Sequence, residues 1–387
     1  MTASPALNLA MVAGEASGDV LAGLLLQSLR VRWPGLQAAG IGGPQMGAQG
    51  FEAWWPHHKL AVHGFGWDVL LRYREIVGIR NALDRRLAAH PPGLFVGVDA
   101  PDFNLALEAR LRARGVKTVH FVCPSVWAWR AERLRTLQRS VDHVLCLFPF
   151  EPALLAQHGI AATYVGHPLA QVIPLTPDRL TARAHLGLAP DAQVLALLPG
   201  SRLSEIKNLA GVFFQAAARI AAQRAQVQFV LPAAPGMQEL ITQAAHAAGM
   251  AGRVQIVAGQ SHQVLAACDA TLIASGTATL EAALFKRPMV IAYRMGTIAW
   301  QLMSRKRLQA WVGLPNILCQ DFVVPEFLQG AATPDALAGA CLQWLDAKTQ
   351  NPVAVQRLEQ RFSQLHQVLR QDTGALAAQA IENTLYA

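Results

Sequence analysis

Leu94-Phe-Val-Gly-Val-Asp-Ala-Pro-Asp-Phe-Asn104 is the stretch on which the fold turns. Five apolar or glycine residues in succession fit a strand buried on both faces, as in a parallel sheet, rather than an alternating, half-exposed one. Asp99-Ala-Pro-Asp102 breaks the run, and 103–114 continues at helical spacing, so the order is strand, turn, helix. The two aspartates differ in what they can do. Asp102 opens the helix and suits an N-cap. Asp99 has no cap to make, and at the end of an apolar strand it is expected to point into a crevice, where a carboxylate suits general-base work.

The same unit recurs outward in both directions. Strands are expected at 7–13, 37–41, 118–123 and 141–148, with helices at 19–33 and 67–89. A second set follows, with strands at 194–198, 228–231, 254–257, 271–274 and 289–293, and helices at 205–223, 236–248 and 277–285. Strand–helix alternation of this kind builds parallel sheets covered by helices on both faces, an α/β class. Pro168, Pro174 and Pro177 stop regular structure between the sets. Two Rossmann-like domains, 1–170 and 171–350, are therefore expected, with a helical segment, 351–387, packing across another element.

Composition narrows the class further. Of 387 residues only 15% are charged and 52% are hydrophobic, which excludes disorder. The charge-free stretch 153–176 holds His158, His167, Pro168 and Pro174, so it does not read as a membrane span. The opening residues lack a basic n-region and read as a strand, not a signal peptide. Cys123, Cys146, Cys268, Cys319 and Cys341 are odd in number and show no C-x-x-C spacing. Neither a disulfide framework nor a zinc knuckle is suggested, and the reducing cytoplasm is the expected compartment.

In open α/β sheets ligands bind beyond the carboxyl ends of strands, so the residues after each strand are the candidates. Gly14, Glu15 and Ser17, in Gly14-Glu-Ala-Ser-Gly-Asp19, form either an anion-accepting turn or a plain helix start. Trp127, Trp129 and Arg130, in Pro124-Ser-Val-Trp-Ala-Trp-Arg130, are core or the lining of a pocket for an amphipathic substrate. Leu197-Leu-Pro-Gly-Ser-Arg-Leu-Ser-Glu-Ile206 is a clearer anion site. Gly200 and Ser201 let the backbone approach, and Arg202 can grip a diphosphate, unless it pairs with Glu205 instead. Ser275, Gly276, Thr277 and Thr279 open another helix with free N–H groups, and Glu281 can accept from ribose hydroxyls. His57 and His58 should diverge on a strand as surface histidines.

A net charge of +8 raises nucleic acid as a partner. No nucleic-acid motif accompanies it. Trp67, Arg72, Arg74, Arg80, Arg85 and Arg86, and the aromatic-basic stretch 300–311, fit anionic lipid headgroups as well as an ordinary helix face.

Together these segments resemble the lipid-A-disaccharide synthase family of bacterial glycosyltransferases. GEASGD (14–19), GVDAPDFN (97–104), HFVCPSVWAWR (120–130), YVGHPLA (164–170), LLPGSRLSEI (197–206), ASGTATLE (274–281), PMVIAYR (288–294), LPN (314–316) and PEFLQ (325–329) carry it, in order. His63 and Cys123 depart from the expected pattern. The resemblance implies a GT-B fold, two Rossmann-like domains facing across a cleft, and inverting chemistry. It implies UDP-2,3-diacylglucosamine as donor to an N-proximal acceptor domain's substrate, 2,3-diacylglucosamine 1-phosphate (lipid X), giving a β-1′,6-linked disaccharide 1-phosphate and UDP. Asp99 would be the base; Arg202 and the 275–279 helix start would stabilise the diphosphate, with Glu205 and Asn316 among the donor-binding residues and no metal or cofactor needed. Gly14, Glu15, Ser17, Trp127, Trp129, Arg130, Trp67 and Arg72 would serve the acceptor and its lipid. Peripheral attachment to the cytoplasmic face of the inner membrane is expected, together with a homodimer exchanging C-terminal segments. A GT-B rival is a UDP-N-acetylglucosamine 2-epimerase; a more distant one is a basic nucleic-acid-binding protein.

Overall fold

The apolar runs form parallel strands, and the strands gather into two sheets, each in its own unit. The computed structural model describes residues 7–60, 67–128, 131–296, 300, 301, 304 and 308–386, the side chains of 67–72 excepted. One unit comprises Met1–Pro168 with Leu369–Ala387, the other Leu169–Val368.

In the first unit the chain runs β1 (Asn8–Ala13), α1 (Ala16–Arg32), β2 (Gln37–Gly42), α2 (Pro44–Gly47), β3 (Glu52–Pro56), α3 (Trp67–Ala89) and β4 (Leu94–Val98). It continues with α4 (Pro101–Ala113), β5 (Lys117–Phe121), α5 (Arg133–Ser140), β6 (His143–Cys146), α6 (Glu151–Ala156) and β7 (Ala162–Tyr164). The sheet order is β3-β2-β1-β4-β5-β6-β7, parallel throughout. Strand order reverses between β1 and β4, the switch point at which such sheets bind ligands. Leu9, Met11, Leu25, Leu29, Val96 and Phe121 fill one face, and Val12, Phe95, Leu83, Leu107 and Leu111 the other. Each such Leu, Val or Phe contributes about 1.5–3 kcal/mol by leaving water.

The second unit repeats the plan. After α7 (Pro168–Val172), at the division, come α8 (Arg179–His185), β8 (Val194–Leu198), α9 (Leu203–Gln223), β9 (Gln228–Ala233), α10 (Gln238–Ala247) and β10 (Val254–Ala258). Then follow α11 (Ser261–Ala267), β11 (Ala270–Ala274), α12 (Thr277–Leu284), β12 (Met289–Tyr293), α13 (Leu314–Cys319), β13 (Glu326–Leu328) and α14 (Pro334–Gln350). Its sheet is β10-β9-β8-β11-β12-β13, again parallel, with the switch point between β8 and β11.

The tail differs from the single helical segment read in the sequence. It forms α15 (Pro352–Leu369) and α16 (Thr373–Tyr386), broken at Asp372, whose carboxylate accepts from the Ala375 N–H (3.0 Å) and starts the second helix. Most of α15 belongs to the second unit and α16 to the first, where Gly374 lies against Ser28 of α1 and Arg32 pairs with Glu382. No helix among the described residues is long and apolar enough to cross a membrane.

Candidate active site

In the first unit, Asp99 follows β4 beside the switch point and is half-buried. The helix start differs from the expectation. Ala100, not Asp102, is the N-cap residue of α4; it is left-handed and has no side-chain acceptor to offer. Asp102 lies in the first turn of the helix, where its carboxylate faces the positive helix end and pairs with Arg133. Gly14 is buried with its Cα against Ala100, where an added Cβ would lie 2.7 Å from the Ala100 Cβ. Glu15 and Ser17 are exposed beside it. Asp19 of the same motif is structural: its carboxylate accepts from the N–H groups of Gly43 (2.9 Å), Gln45 (2.9 Å) and Met46 (3.1 Å) and fixes the turn after β2.

Trp127 is buried. Its indole N–H donates to Glu151 Oε1 (3.0 Å), and its ring packs edge-on against Phe148 and Phe150. Burial lifts the Glu151 carboxyl to about 7. The fold also gathers two of the scattered cysteines here: Cys123, Cys146 and Glu151 are buried with their ligand atoms within 4.8 Å of one another. Trp129 and Arg130 lie outside the described residues, as do the side chains of Trp67 and Arg72. Farther along α3, Ile79, Leu83 and Leu87 face the core while Tyr73 and Arg74 are exposed. His57 and His58 sit on a 3-10 turn rather than a strand.

In the second unit both expected turns stand at the switch point. Gly200 turns at φ +120° after β8, and Arg202 opens α9. Glu205 Oε2 accepts from the N–H groups of Ser201 (3.0 Å) and Arg202 (3.2 Å), and Glu205 Oε1 meets the Arg202 guanidinium at 3.2 Å. Glu205 is thus a cap for the helix and a counter-ion for Arg202, whose side chain is 72% exposed. After β11, Gly276 and Thr277 are exposed at the start of α12, and Ser275 Oγ donates to the Val312 carbonyl (3.0 Å). Thr279 is buried and its hydroxyl donates to the Gly276 carbonyl (2.7 Å), bracing the turn. Glu281 lies one turn in; burial lifts its carboxyl to about 6.

Asn316 differs from the exposed residues of the two turns. It is fully buried and spends its amide on the loop: Nδ2 donates to Val324 O (2.9 Å) and Glu326 Oε1 (2.8 Å), and Oδ1 accepts from Val323 N (2.9 Å) and Val324 N (3.0 Å). Glu326 in turn accepts from Val312 N and Gly313 N (2.9 Å each), the segment on which Ser275 leans. Sequence reasoning missed three neighbours. Glu326 carries no signal beyond its place in PEFLQ. His262, 3.6 Å from Glu281 and held below its ordinary pKa by burial, comes from a helix with no motif. Tyr293 ends β12 near the Glu205 and Arg202 charges, and burial pushes its hydroxyl up. A cavity of about 600 Å³ in this unit lies elsewhere, near the amino ends of β8, β11 and β12, and its Arg179 and Lys286 already pair with Asp269 and His366.

Solved structures share this architecture. The putative UDP-N-acetylglucosamine 2-epimerase of Listeria monocytogenes superposes with a TM-score of 0.64 at 11% identity, covering 98% of this chain and 95% of that one. A glycosyltransferase of Rickettsia africae gives 0.58 at 10% identity, covering 98% of each. At such identities the likeness is one of fold, and the class it defines is GT-B. The family model described as lipid-A-disaccharide synthetase matches residues 9–381. Lipid-A-disaccharide synthases of Albidiferax ferrireducens (65% identical, 98% of this chain and 97% of that protein) and Verminephrobacter eiseniae (64%, the same coverage) are close relatives. The chain belongs to the lipid-A-disaccharide synthase family, and it is a glycosyltransferase of lipid A biosynthesis.

Proposed function

We propose that the enzyme transfers 2,3-diacylglucosamine from UDP-2,3-diacylglucosamine to the 6-hydroxyl of 2,3-diacylglucosamine 1-phosphate, releasing UDP and a β-1′,6-linked disaccharide 1-phosphate. The observation that carries the reading is the pair of turns in the second unit. The turns Gly200–Arg202 and Ser275–Thr277 follow adjacent strands; the first offers the Arg202 guanidinium and the second the exposed start of α12 at Gly276 and Thr277, a fit for a diphosphate.

Inversion at the sugar carbon needs a base for the acceptor hydroxyl on one face and stabilisation of the leaving group on the other. Asp99 takes the proton. Arg202 exchanges its partner Glu205 for phosphate oxygens and stabilises the negative charge as UDP departs, with the N-terminal N–H groups of α12 assisting. Glu281, ionised above pH about 6, accepts from ribose hydroxyls. The donor and acceptor both carry acyl chains, so the protein works at the cytoplasmic face of the inner membrane, docked through α3, where Tyr73, Arg74 and Arg85 are exposed.

The test is incubation with both substrates. UDP release that depends on the acceptor, with a β-1′,6 linkage in the product, supports the reading. Equal UDP release without acceptor, or a 2-epimerised sugar, overturns it.

A further inference from the structure

The peptide that carries the Asp99 carboxylate is held from two sides. Its N–H donates to the Phe121 carbonyl at the end of β5 (2.8 Å), and its carbonyl accepts from Asn104 Nδ2 on α4 (2.8 Å). The two holders are tied together beneath it. His120 Nδ1 on β5 lies 2.8 Å from Glu108 Oε1 on α4, and both side chains are wholly buried. Gly97 of β4, the register partner of His120, leaves the room for this: a Cβ there would lie 2.1 Å from Glu108 Oε1 and 2.9 Å from Asn104 Cβ.

What is held is strained backbone. Asp99 and Ala100 sit at φ +51° and +43°, and Val122, one residue beyond Phe121, at +81°, a region β-branched residues rarely enter. Such conformations persist only where the surroundings over-determine them, and they gather at functional sites. The polar cluster is a poor choice for stability alone. Among the described residues, Asn104 Oδ1, Glu108 Oε2 and His120 Nε2 have no hydrogen-bond partner, and buried orphan atoms destabilise a fold. Nor can the fully buried Glu108 and His120 touch a substrate.

We propose that Asn104, backed by the Glu108–His120 pair, is a positioning residue for Asp99, fixing its carboxylate where the acceptor hydroxyl arrives. The proposal rests on Asp99 being the base. Its test is the steady-state kinetics and thermal unfolding of Asn104→Ser, Glu108→Gln, Glu108→Leu, Asp99→Asn and the double variant Asp99→Asn/Asn104→Ser. In Asn104→Ser, kcat should fall by about 10²-fold with both KM values little changed, the cost of misplacing a reacting group by about an ångström. Glu108→Gln, which can still meet His120, should stay close to the parent, while Glu108→Leu should lose about tenfold as the network opens. With the carboxylate already gone, Asn104→Ser should add little further loss.

Losses that multiply in the double variant, or parent-like kcat in a folded Asn104→Ser, overturn the proposal. Should Asn104→Ser fail to fold, equal behaviour of Glu108→Gln and Glu108→Leu overturns it, and the predicted split between them supports it. Parent-like turnover by Asp99→Asn alone removes the base and its holder together, an outcome distinct from multiplied losses.

Discussion

Asp99 after β4 and Arg202 after β8 each flank the switch point of their own sheet, yet the fold treats them in opposite ways. The Asp99 peptide is fixed by Phe121 and Asn104 over a wholly buried His–Glu pair. Arg202 is mostly exposed, and its partner is Glu205 on the same turn. An exposed pair of that spacing stabilises by about 0.3–0.5 kcal/mol, whereas a charge-assisted bond to phosphate contributes about 1.5–3 kcal/mol, so a diphosphate wins the guanidinium. The difference fits the chemistry proposed for each site. A proton transfer is lost by small errors in geometry; a charge that follows a departing diphosphate needs only to be at hand.

The comparison can be broken most severely at Asp99. Asp99→Asn should retain the fold and UDP binding while turnover drops about 10²–10⁴-fold, the usual worth of a general base; steady-state rates within a few-fold of the parent would contradict it. Next is Asn316, whose four hydrogen bonds hold the loop behind Ser275. Asn316→Ala should cost about 2–4 kcal/mol in denaturant unfolding, because it orphans two backbone N–H groups and their neighbours, with a smaller effect on UDP affinity. Arg202→Ala should reverse that pattern. UDP affinity should fall roughly ten- to a hundredfold by calorimetry, with stability almost unchanged because the lost pair is exposed.

Glu281 supplies a pH test. Its folded carboxyl is lifted to about 6 by burial, above the value of about 4.3 for a free glutamate. The unfolded chain therefore releases this proton first. The group's contribution to stability is complete below pH about 4.3 and is lost as pH rises through about 6. Relative to Glu281→Gln, the parent should weaken over that window by roughly 2 kcal/mol, and the difference should be flat above pH 7. A parent-minus-variant difference that does not change with pH would show that the carboxyl is well solvated. The last test is at the membrane. Changing Arg72 and Arg74 to Glu should weaken sedimentation with anionic vesicles, each arginine contributing about 1 kcal/mol, and leave turnover of short-chain soluble substrates intact. Unchanged sedimentation would move the docking surface away from the start of α3.

Much of this was legible in the sequence where one residue type has one physical use. Apolar runs such as Leu94–Val98 and Val194–Leu198 declared buried parallel strands, and glycine-turn–helix junctions marked both switch points. The edge strands β3, β7 and β13 escaped because they are short and half-exposed, without an apolar run to declare them. The 141–148 run stops being strand at Cys146 because Phe148 and Phe150 turn over to pack on Trp127. Side-chain roles were harder. Asp19, Thr279 and Asn316 stand in motifs that read as ligand sites, but their side chains hydrogen-bond within the protein. The Glu108–His120 pair gave no signal, since its members are 12 residues apart and meet only when α4 folds onto β5.

The division of labour between the two units is tested most directly by titrating UDP into Asp99→Asn and Arg202→Ala side by side. Parent-like affinity in Asp99→Asn, together with a roughly ten- to a hundredfold loss in Arg202→Ala, is the predicted result. Loss of UDP affinity in Asp99→Asn with full affinity in Arg202→Ala would contradict it, and would move the nucleotide to the first unit.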